Sequence, residues 1–432
     1  MLKRKFTQRL QEWKERKQKE CLLVCGARQI GKTYIIDFFG KTAYKNYIYI
    51  NFEERPELKK IFEDDLSVDA MVQKISLYLP SAVFEQGNTL LFLDEIQSCP
   101  QARTSLKFWA LDNRYDVIAS GSLLGINYKE VSSFPVGYER QVTMHALDFE
   151  EFLWAMGIGD EIIAMLRRHF EMRTPVDGSV HTKMMKFLRE YMIVGGMPAV
   201  VNKYQATHLF NEVYEEQKKI LNTYLNDMGK YAPNTEQPKI RSCYLSIPRQ
   251  LAKENTKFQY SVVEKGGTTR KFGNAIDWLR DADLVLLCHN VSTITFPLTA
   301  YTKTEQYRIY LSDIGLLTAM YGMEMKKAVF DDTLNGAAKG GIYENLVADM
   351  LTKRDCLLWY YMKEDNSIEI EFLLERNAQP VIVEVKAKKG STESMNKILQ
   401  AGYVSFGYKL CAGNVGQSDS KITLPIYMAM FI

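Results

Sequence analysis

The segment 26–33, GARQIGKT, has the residue types and spacing that bind nucleotide phosphates. It matches the complete pattern G-x-x-x-x-G-K-[ST], in which successive backbone N–H groups of a loop surround the phosphates. Lys32 can reach the β- and γ-phosphates, and the Thr33 hydroxyl can bind Mg²⁺. The alternative, a glycine loop with a chance Lys-Thr pair, is disfavoured by the flanking apolar strand and helix patterns. The predicted nucleotide-binding residues are Gly26, Ala27, Arg28, Gln29, Ile30, Gly31, Lys32 and Thr33.

An acidic pair ends the apolar stretch 89–95, TLLFLDE. A carboxylate at the end of a strand can hold Mg²⁺ through its water shell, while a neighbouring carboxylate orients the attacking water. We therefore assign Asp94 to the metal, together with Thr33, and Glu95 to the catalytic base. The alternative is an acidic pair that only ends a strand, and the intact phosphate loop upstream disfavours it.

Small hydroxyl residues end a third stretch, 115–122, YDVIASGS. A hydroxyl on a strand between the strand of the phosphate loop and the strand of the carboxylates can contact the γ-phosphate. Ser120 or Ser122 fits this role, and we count Ser120 with Lys32 and Glu95 among the predicted catalytic residues. A simple Ser-Gly turn is an alternative of equal weight.

Predicted strands and helices must position the candidate site residues. The apolar run 21–25 predicts a buried strand before the phosphate loop, and the runs 47–52 and 141–147 predict two more strands. Apolar residues recur at helical spacing over 67–79. The sequence DFEE at 148–151 has the form of a capping box, so it predicts the start of another helix.

The N-terminal segment is strongly basic. Residues 1–20 contain eight Lys or Arg residues against three Glu residues. The spacing of Phe6, Leu10 and Trp13 predicts an amphipathic helix that turns these three side chains inward and its charges to solvent.

Length and composition limit the class of protein. A chain of 432 residues holds about three domains. The net charge of +3 is too small to indicate nucleic-acid binding by bulk electrostatics, so any such surface must be local. Seven cysteines without C-x-x-C pairs favour a reducing compartment. An apolar run of about 18 residues, which a membrane span needs, is absent, so we predict a cytoplasmic protein without a membrane partner.

Four segments resemble the prokaryotic AAA-class P-loop ATPases. They are GARQIGKT at 26–33, LLFLDEIQ at 90–97, VIASGSLLG at 117–125, and SFPVG with LDFEEFL between 133 and 153. The resemblance implies a five-stranded parallel sheet with helices on both faces, ATP and Mg²⁺ as ligands, and Glu95 as the hydrolytic base. It also implies an arginine supplied by a neighbouring subunit, for which Arg114 and Arg140 are alternatives.

The region from 158 to 325 has a helical pattern without a catalytic signature. Predicted helices at 239–245, 248–255 and 270–281, followed by predicted strands at 284–291 and 293–298, would form a winged helix-turn-helix. The resemblance to one AAA subfamily continues here through the segments YMIVGGMPA, TYLNDMGKY and YLSDIGLL. In that subfamily the C-terminal domain is of unknown function and nuclease-like.

Basic residues at the start of the third predicted helix suggest contact with DNA. Arg270 and Lys271 would place this helix on a DNA backbone. In the alternative interpretation, Phe272, Ile276 and Trp278 pack the helix into a core and the basic residues are only solvated. We keep both interpretations open.

In the strand-like runs at 367–375 and 381–387, carboxylates and one lysine alternate with apolar residues. If these strands are neighbours, Glu371, Glu384 and Lys386 converge on one side, and a helix over 340–351 brings Glu344. Such a cluster suits metal-dependent phosphodiester cleavage. The order resembles the PD-(D/E)XK nucleases, which usually have Asp where this chain has Glu371. The predicted nuclease site is Glu344, Glu371, Glu384 and Lys386, with Glu371 and Glu384 as its metal ligands.

We therefore predict an α/β protein of three domains. These are an AAA-type P-loop domain with a parallel sheet over 1–157, a helical and winged-helix domain over 158–325, and a small α/β restriction-nuclease-like domain over 326–432. The predicted function is Mg²⁺-dependent ATP binding and hydrolysis, coupled to DNA binding or processing. The alternative is a nucleotide-gated regulatory ATPase whose C-terminal domain is an inactive partner-binding module. The sequence leaves three kinds of macromolecular partner open, which are DNA, a second copy of the chain and another protein.

Overall fold

The computed structural model describes residues 2–16, 19–121, 137–253, 256–387 and 392–432. The chain divides into two compact units. The N-terminal unit is Arg4–Ala146, and the C-terminal unit is Leu147–Ile432 together with Met1–Lys3. Among the described residues, no helix combines the length and apolar character needed to cross a membrane.

The N-terminal unit contains a parallel sheet of five strands in the order β2-β3-β4-β1-β5. The predicted five-stranded parallel sheet is confirmed. In such a sheet the carboxyl ends of the strands lie at one edge, where ligands bind. The elements of this unit are α1 (Phe6–Lys14), β1 (Cys21–Cys25), α2 (Lys32–Ala43), β2 (Asn46–Asn51), α3 (Val68–Tyr78), β3 (Thr89–Asp94), α4 (Pro100–Asp112), β4 (Asp116–Ser120) and β5 (Glu139–Thr143).

Apolar sequence explains why the central strands form. Every residue of β1 and of β3 is buried, which is typical of a parallel sheet covered on both faces. Helix α1 buries Phe6, Leu10 and Trp13, as the amphipathic pattern predicts. These apolar contacts hold the strand ends that carry the polar residues of the site.

The C-terminal unit begins with the predicted capping box. Asp148 accepts a hydrogen bond from the backbone of Glu151, and the Glu151 side chain accepts one from the backbone of Asp148. The helices that follow in the first half of this unit are α5 (Phe149–Ala155), α6 (Asp160–Met172), α7 (Gly178–Val194), α8 (Pro198–Thr207), α9 (Phe210–Tyr231), α10 (Gln237–Leu251), α11 (Tyr260–Val263) and α12 (Thr269–Asp281).

Strands and helices alternate in the second half of this unit. The helices are α13 (Ile314–Tyr321), α14 (Met323–Phe330), α15 (Gly336–Thr352) and α16 (Glu393–Gln400). The strands are β6 (Val285–Val291), β7 (Thr302–Leu311), β8 (Trp359–Met362), β9 (Glu369–Arg376), β10 (Gln379–Val385), β11 (Gly407–Cys411), β12 (Gly416–Ser418) and β13 (Lys421–Pro425).

One eight-stranded sheet runs through the C-terminal unit in the order β12-β13-β11-β10-β9-β8-β6-β7. Strand β6 pairs with β7 in antiparallel fashion and with β8 in parallel fashion. The pairing of β6 with β8 therefore crosses the boundary between 325 and 326 that the sequence suggests. The division into three domains stays a prediction.

Three predicted elements around the first strand of this sheet differ from the structure. The predicted helices 239–245 and 248–255 form the single helix α10, which contains Pro248. The predicted strand 293–298 is a loop, and the strand that pairs with β6 is β7, further along the chain. Pro297 lies in this loop, and proline cannot donate a ladder hydrogen bond. The predicted helix 270–281 is confirmed as α12.

Candidate functional site

The phosphate loop joins β1 to α2 and depends on unusual backbone angles. Gly26 has a φ of 142°, Gly31 has a φ of 92°, and Gln29 between them has a φ of 65°. A Cβ atom at Gly26 would lie 2.2 Å from the carbonyl oxygen of Met144. Glycine is therefore required at the first position of the loop by both its conformation and its surroundings.

Lys32 is the first residue of α2, where the backbone N–H groups favour an anion. Its Nζ atom donates hydrogen bonds to the carbonyl oxygens of Gly26, at 2.9 Å, and Ala27, at 2.8 Å. The ammonium group thus lies beside the loop backbone and can exchange these carbonyl acceptors for phosphate oxygens.

The two predicted metal ligands of this site lie together. The Thr33 hydroxyl donates a hydrogen bond of 2.9 Å to Oδ2 of Asp94, although the residues are 61 positions apart. Asp94 ends β3 and is almost fully buried. Hydroxyl and carboxylate oxygens are hard ligands, so this pair fits Mg²⁺.

Asp94 accepts hydrogen bonds from several other groups. On Oδ2 these come from the hydroxyl of Tyr49 at 3.0 Å and the amide of Asn51 at 3.4 Å. On Oδ1 they come from the backbone of Glu95 at 3.0 Å and from the Ser120 hydroxyl. The carboxylate is therefore fixed from three neighbouring parts of the sheet.

Ser120 ends β4, which lies between β1 and β3 as the sequence predicts. Its hydroxyl contacts Asp94 directly. The structure therefore places Ser120 among the site residues, and its contact with a γ-phosphate stays a prediction. Ser122 lies outside the described residues.

Glu95 follows Asp94 with a left-handed backbone, at a φ of 53°. Its side chain accepts a hydrogen bond from the Gln97 amide. Burial is the main cause that raises the pKa of Glu95, and the charge of Asp94 acts in the same direction, while the Gln97 hydrogen bond opposes them. A carboxylate with a raised pKa is a better proton acceptor, which suits a general base.

Sequence analysis missed Tyr49 and Asn51. Asn51 ends β2 and lies opposite Asp94 in the strand register. Its side-chain oxygen also accepts hydrogen bonds from the backbones of Glu53 and Glu54. A polar residue at the end of a strand was the available signal, because parallel strands bring their carboxyl ends to one edge.

Arg4 is a third residue that sequence analysis missed. Its guanidinium donates to the carbonyl oxygen of Ile30 in the phosphate loop, at 3.2 Å, and to that of His145, at 2.6 Å. It thereby ties the loop to the segment after β5. No sequence signal distinguishes Arg4 from the other basic residues near the N-terminus.

The two alternative arginines lie at different places in the N-terminal unit. Arg114 precedes β4, and its side chain forms ion pairs with Asp112 at 2.7 Å and Asp69 at 2.6 Å. Arg140 is exposed on β5. The action of either residue on a neighbouring subunit stays a prediction.

In the C-terminal unit, the structure brings together three of the four predicted nuclease residues. Lys386 Nζ lies 2.7 Å from Oε1 of Glu371 and 3.1 Å from Oε1 of Glu384. Glu344 instead accepts a hydrogen bond of 3.1 Å from the Tyr310 hydroxyl and lies 3.5 Å from NH1 of Arg308.

The charges in this C-terminal cluster influence one another. Burial raises the pKa of Glu384 to about 7, and the charge of Glu371 adds to the effect. Burial also raises the pKa of Glu344 to about 7, against the opposing charge of Arg308. Burial alone would lower the pKa of Lys386, but the two neighbouring carboxylates outweigh it and raise that pKa.

Two oxygens of this cluster stand out. Oε2 of Glu371 and Oε2 of Glu384 are buried and accept no hydrogen bond from the described residues. In the same described part of the chain, no group of three or more His, Cys, Asp or Glu side chains has the arrangement to hold a metal ion. The donor set at this point is therefore a pair of carboxylates.

Helix α12 shows features of both interpretations of its sequence. Phe272 and Ile276 are buried, as packing into a core requires. Arg270 is exposed, and Lys271 forms an ion pair of 2.6 Å with Glu264. The exposed side of the first turn of α12 therefore carries the predicted basic residues.

Family models match three consecutive parts of the chain. Residues 18–153 match a model described as an AAA domain. Residues 185–327 and 339–429 match two domains of unknown function, DUF8612 and DUF4143. No curated protein matches the chain.

Several solved structures are distantly similar to the chain. A Walker-type ATPase of Pyrococcus abyssi is 14% identical, with a TM-score of 0.43, over 74% of this chain and 96% of that one. RuvB of Thermotoga maritima is 13% identical, with a TM-score of 0.30, over 71% and 92% of the two chains. Aeropyrum pernix ORC1, solved in complex with DNA, is 12% identical, with a TM-score of 0.29, over 75% and 93%. The family match and the loop sequence together show that residues 18–153 form an AAA-type P-loop domain.

Proposed function

We propose that the N-terminal unit binds ATP with Mg²⁺ and hydrolyses it. The hydrogen bond of 2.9 Å between Thr33 and Asp94 is the observation that supports this most, because it joins the two residues that would hold the metal ion. When bound, Mg²⁺ would neutralise the charge of the β- and γ-phosphates. Lys32 and the N-terminus of α2 would stabilise the same phosphate oxygens.

Glu95 is the base in this proposal. Its carboxylate would accept a proton from the attacking water, and Gln97 would hold one of its oxygens. Asp94 would be held in place by the donors that contact both of its oxygens. Ser120 would fix Asp94 from the neighbouring strand.

We further propose that ATP hydrolysis is coupled to DNA. The order of α10, α11 and α12, followed by the antiparallel strands β6 and β7, would suit a winged helix. An antiparallel bridge between Lys257 and Arg308 supports this, because it places the segment before α11 beside β7. The exposed first turn of α12 would then contact the phosphate backbone through Arg270 and Lys271.

Charge reversal at both positions, Arg270→Glu with Lys271→Glu, tests this proposal. We expect the affinity for a fluorescent DNA duplex to fall by about tenfold or more at moderate salt, because two phosphate contacts become repulsive. The matched control is Lys218→Glu with Lys219→Glu on α9, where both lysines are exposed. Fluorescence anisotropy of purified full-length chains measures both.

The ATPase rate with and without single- and double-stranded DNA complements this measurement. Stimulation by DNA in the parent chain, and its loss in the Arg270 and Lys271 variant, would support coupling. If the parent chain and this variant bind DNA with equal affinity, α12 is not the surface that binds DNA. Slow turnover with retained nucleotide and no response to DNA would favour the alternative, a nucleotide-gated regulator.

A second candidate activity belongs to the C-terminal cluster. We propose that Glu371 and Glu384 hold a divalent cation for phosphodiester cleavage, with Lys386 beside the attacking water. The two buried Oε2 atoms without a hydrogen bond from the described residues favour this over an inert ion pair. Cleavage of DNA with Mg²⁺ or Mn²⁺, compared with Lys386→Ala, tests it. If no DNA is cleaved, the cluster belongs to a partner-binding module instead.

A further inference from the structure

A pocket lies between three helices of the C-terminal unit, outside the proposed nucleotide and metal sites. Its volume is about 530 Å³, and its walls come from α9, α10 and the end of α13. Pockets of this volume with a mainly apolar lining are typical of small-molecule sites. The apolar side chains of the lining include Leu221, Leu225, Tyr244, Leu245, Pro248 and Met320.

Helical spacing gathers these apolar side chains into one wall on each side. Leu221 and Leu225 are four residues apart on α9, and Leu245 and Pro248 are three residues apart on α10, so each pair lies on one face of its helix. Tyr321, at the end of α13, also lines the pocket. Its hydroxyl donates a hydrogen bond of 2.6 Å to the carbonyl oxygen of Pro248. The polar end of this ring is therefore held by the wall, and the interior stays apolar.

The apolar surface is confined to the inside of the pocket. Tyr244 and Pro248 are buried. Among the large apolar side chains of the lining, in the part of the chain that the structure describes, only Leu245 is strongly exposed, at 47%. A stable protein interface needs about 800 Å² on each partner. A concave apolar surface of this limited extent therefore favours a small ligand with an apolar body over a partner protein.

The border of the pocket supplies one available cation. The side chains of the described residues that line it include two basic groups and no acidic group. Lys218 is already paired with Glu215, at 3.1 Å. Arg249 is exposed and forms no ion pair with the residues that the structure describes. A guanidinium can bind a carboxylate through two parallel N–H donors, so Arg249 can hold one anionic group.

We propose that this pocket binds an amphiphilic anion, a medium-chain aliphatic carboxylate, with its alkyl chain between the leucines of α9 and α10 and its carboxylate on Arg249. The alkyl chain matches a lining in which leucine side chains recur, and the single carboxylate matches the single available cation. This inference is independent of the proposed ATP, DNA and metal sites.

Displacement of the fluorescent anion anilinonaphthalene sulfonate from the purified full chain tests the proposal. The emission of this probe rises in apolar surroundings, so the signal reports its binding. We expect decanoate to displace the probe. Decylammonium, which has the same alkyl chain with the opposite charge, should require at least about a tenfold higher concentration, because it cannot accept hydrogen bonds from Arg249.

Three variants locate the site. Arg249→Gln should weaken the binding of decanoate by about fivefold or more. Its matched control is Arg241→Gln, at an exposed arginine of the same helix that does not line the pocket, and it should stay within about twofold of the parent. Ala252→Trp places a large side chain in the pocket from an exposed position at the end of α10, and it should remove most of the decanoate-sensitive signal. Circular dichroism checks that each variant is folded.

Several results would overturn the proposal. Absence of probe displacement by decanoate in the parent would do so, and so would displacement by decylammonium at the same concentration as decanoate. Equal decanoate affinity in the parent and Arg249→Gln would exclude Arg249 as the anion site, and an unchanged signal in Ala252→Trp would place the binding elsewhere. Probe binding that disappears as the chain forms dimers, followed by sedimentation, would show that a second copy of the chain covers the pocket instead.

Discussion

Replacement of Glu95 by glutamine should leave ATP binding intact and slow hydrolysis by about 10²- to 10⁴-fold, which is the usual contribution of a general base. The substitution removes the proton acceptor but keeps the size of the side chain. Asp94 and Thr33, which would hold the metal ion, are unchanged and remain within hydrogen-bond distance. Single-turnover hydrolysis and calorimetric ATP binding measure the two quantities separately.

Glu54→Gln is the matched control, because Glu54 is an exposed carboxylate near the same strand ends. Its hydrolysis rate should stay within twofold of the parent rate. Hydrolysis by the Glu95 variant at the parent rate would assign the base to another residue. Loss of ATP binding in that variant would instead give Glu95 a role in holding the nucleotide.

Replacement of Lys353 by methionine should destabilise the C-terminal unit by about 3–5 kcal/mol, because it leaves a buried carboxylate without its cation. Lys353 Nζ lies 2.8 Å from Oδ1 of Asp349, and the two side chains are 3% and 0% exposed. The same ammonium donates to the Tyr191 hydroxyl at 3.0 Å and to the Leu147 carbonyl oxygen at 3.1 Å. Urea unfolding of the full chain measures the loss.

The destabilisation should depend on pH. Burial raises the pKa of Asp349 to about 7, above its unfolded value of about 4. The folded state therefore binds more protons than the unfolded state between these values, and the contribution of this group to stability is lost as pH rises through about 7. Without Lys353 the charged form of the Asp349 carboxyl loses its neighbouring cation, whereas the neutral form loses less. The loss of unfolding free energy caused by Lys353→Met should therefore be larger at pH 8 than at pH 5.

Two further variants complete this test. Asp349→Asn combined with Lys353→Met should recover most of the lost stability, because no buried charge remains. Lys327→Met removes an exposed lysine from an ion pair with Glu324 and should have no measurable effect. A Lys353 variant as stable as the parent at pH 8 would show that the Asp349 carboxyl is neutral in the parent.

Local patterns predict the strands and the loop that carry the proposed nucleotide site. The phosphate loop is a contiguous motif, and the apolar runs of β1 and β3 are buried along their whole length. The contacts of Asp94 with Tyr49 and Asn51 depend on the alignment of β2 with β3, which is a property of the sheet. Such a register cannot be read from a single strand.

Long-range contacts explain the predictions that differ from the structure. The helix pattern over 340–351 predicts that Glu344 approaches Glu371 and Glu384, but it does not predict which groups Glu344 contacts. Glu344 contacts Arg308 and Tyr310 of β7, which lies in the region that the sequence assigns to another domain. The strand expected at 293–298 is a loop, so sequence placed the partner of β6 too early. Arg4 was not distinguished, because its acceptors are backbone carbonyls remote in sequence.

Equilibrium binding of ATP to the purified full chain, with and without Mg²⁺, tests the proposed nucleotide site. The parent should bind ATP, and Mg²⁺ should strengthen the binding, because Thr33 and Asp94 lie where they can hold the metal ion. Lys32→Ala should weaken binding by tenfold or more, since it removes the ammonium that lies beside the loop carbonyls of Gly26 and Ala27 and would bind the phosphates. If the parent does not bind ATP, or if Lys32→Ala binds it as tightly as the parent, the phosphate loop of this chain is not a nucleotide site.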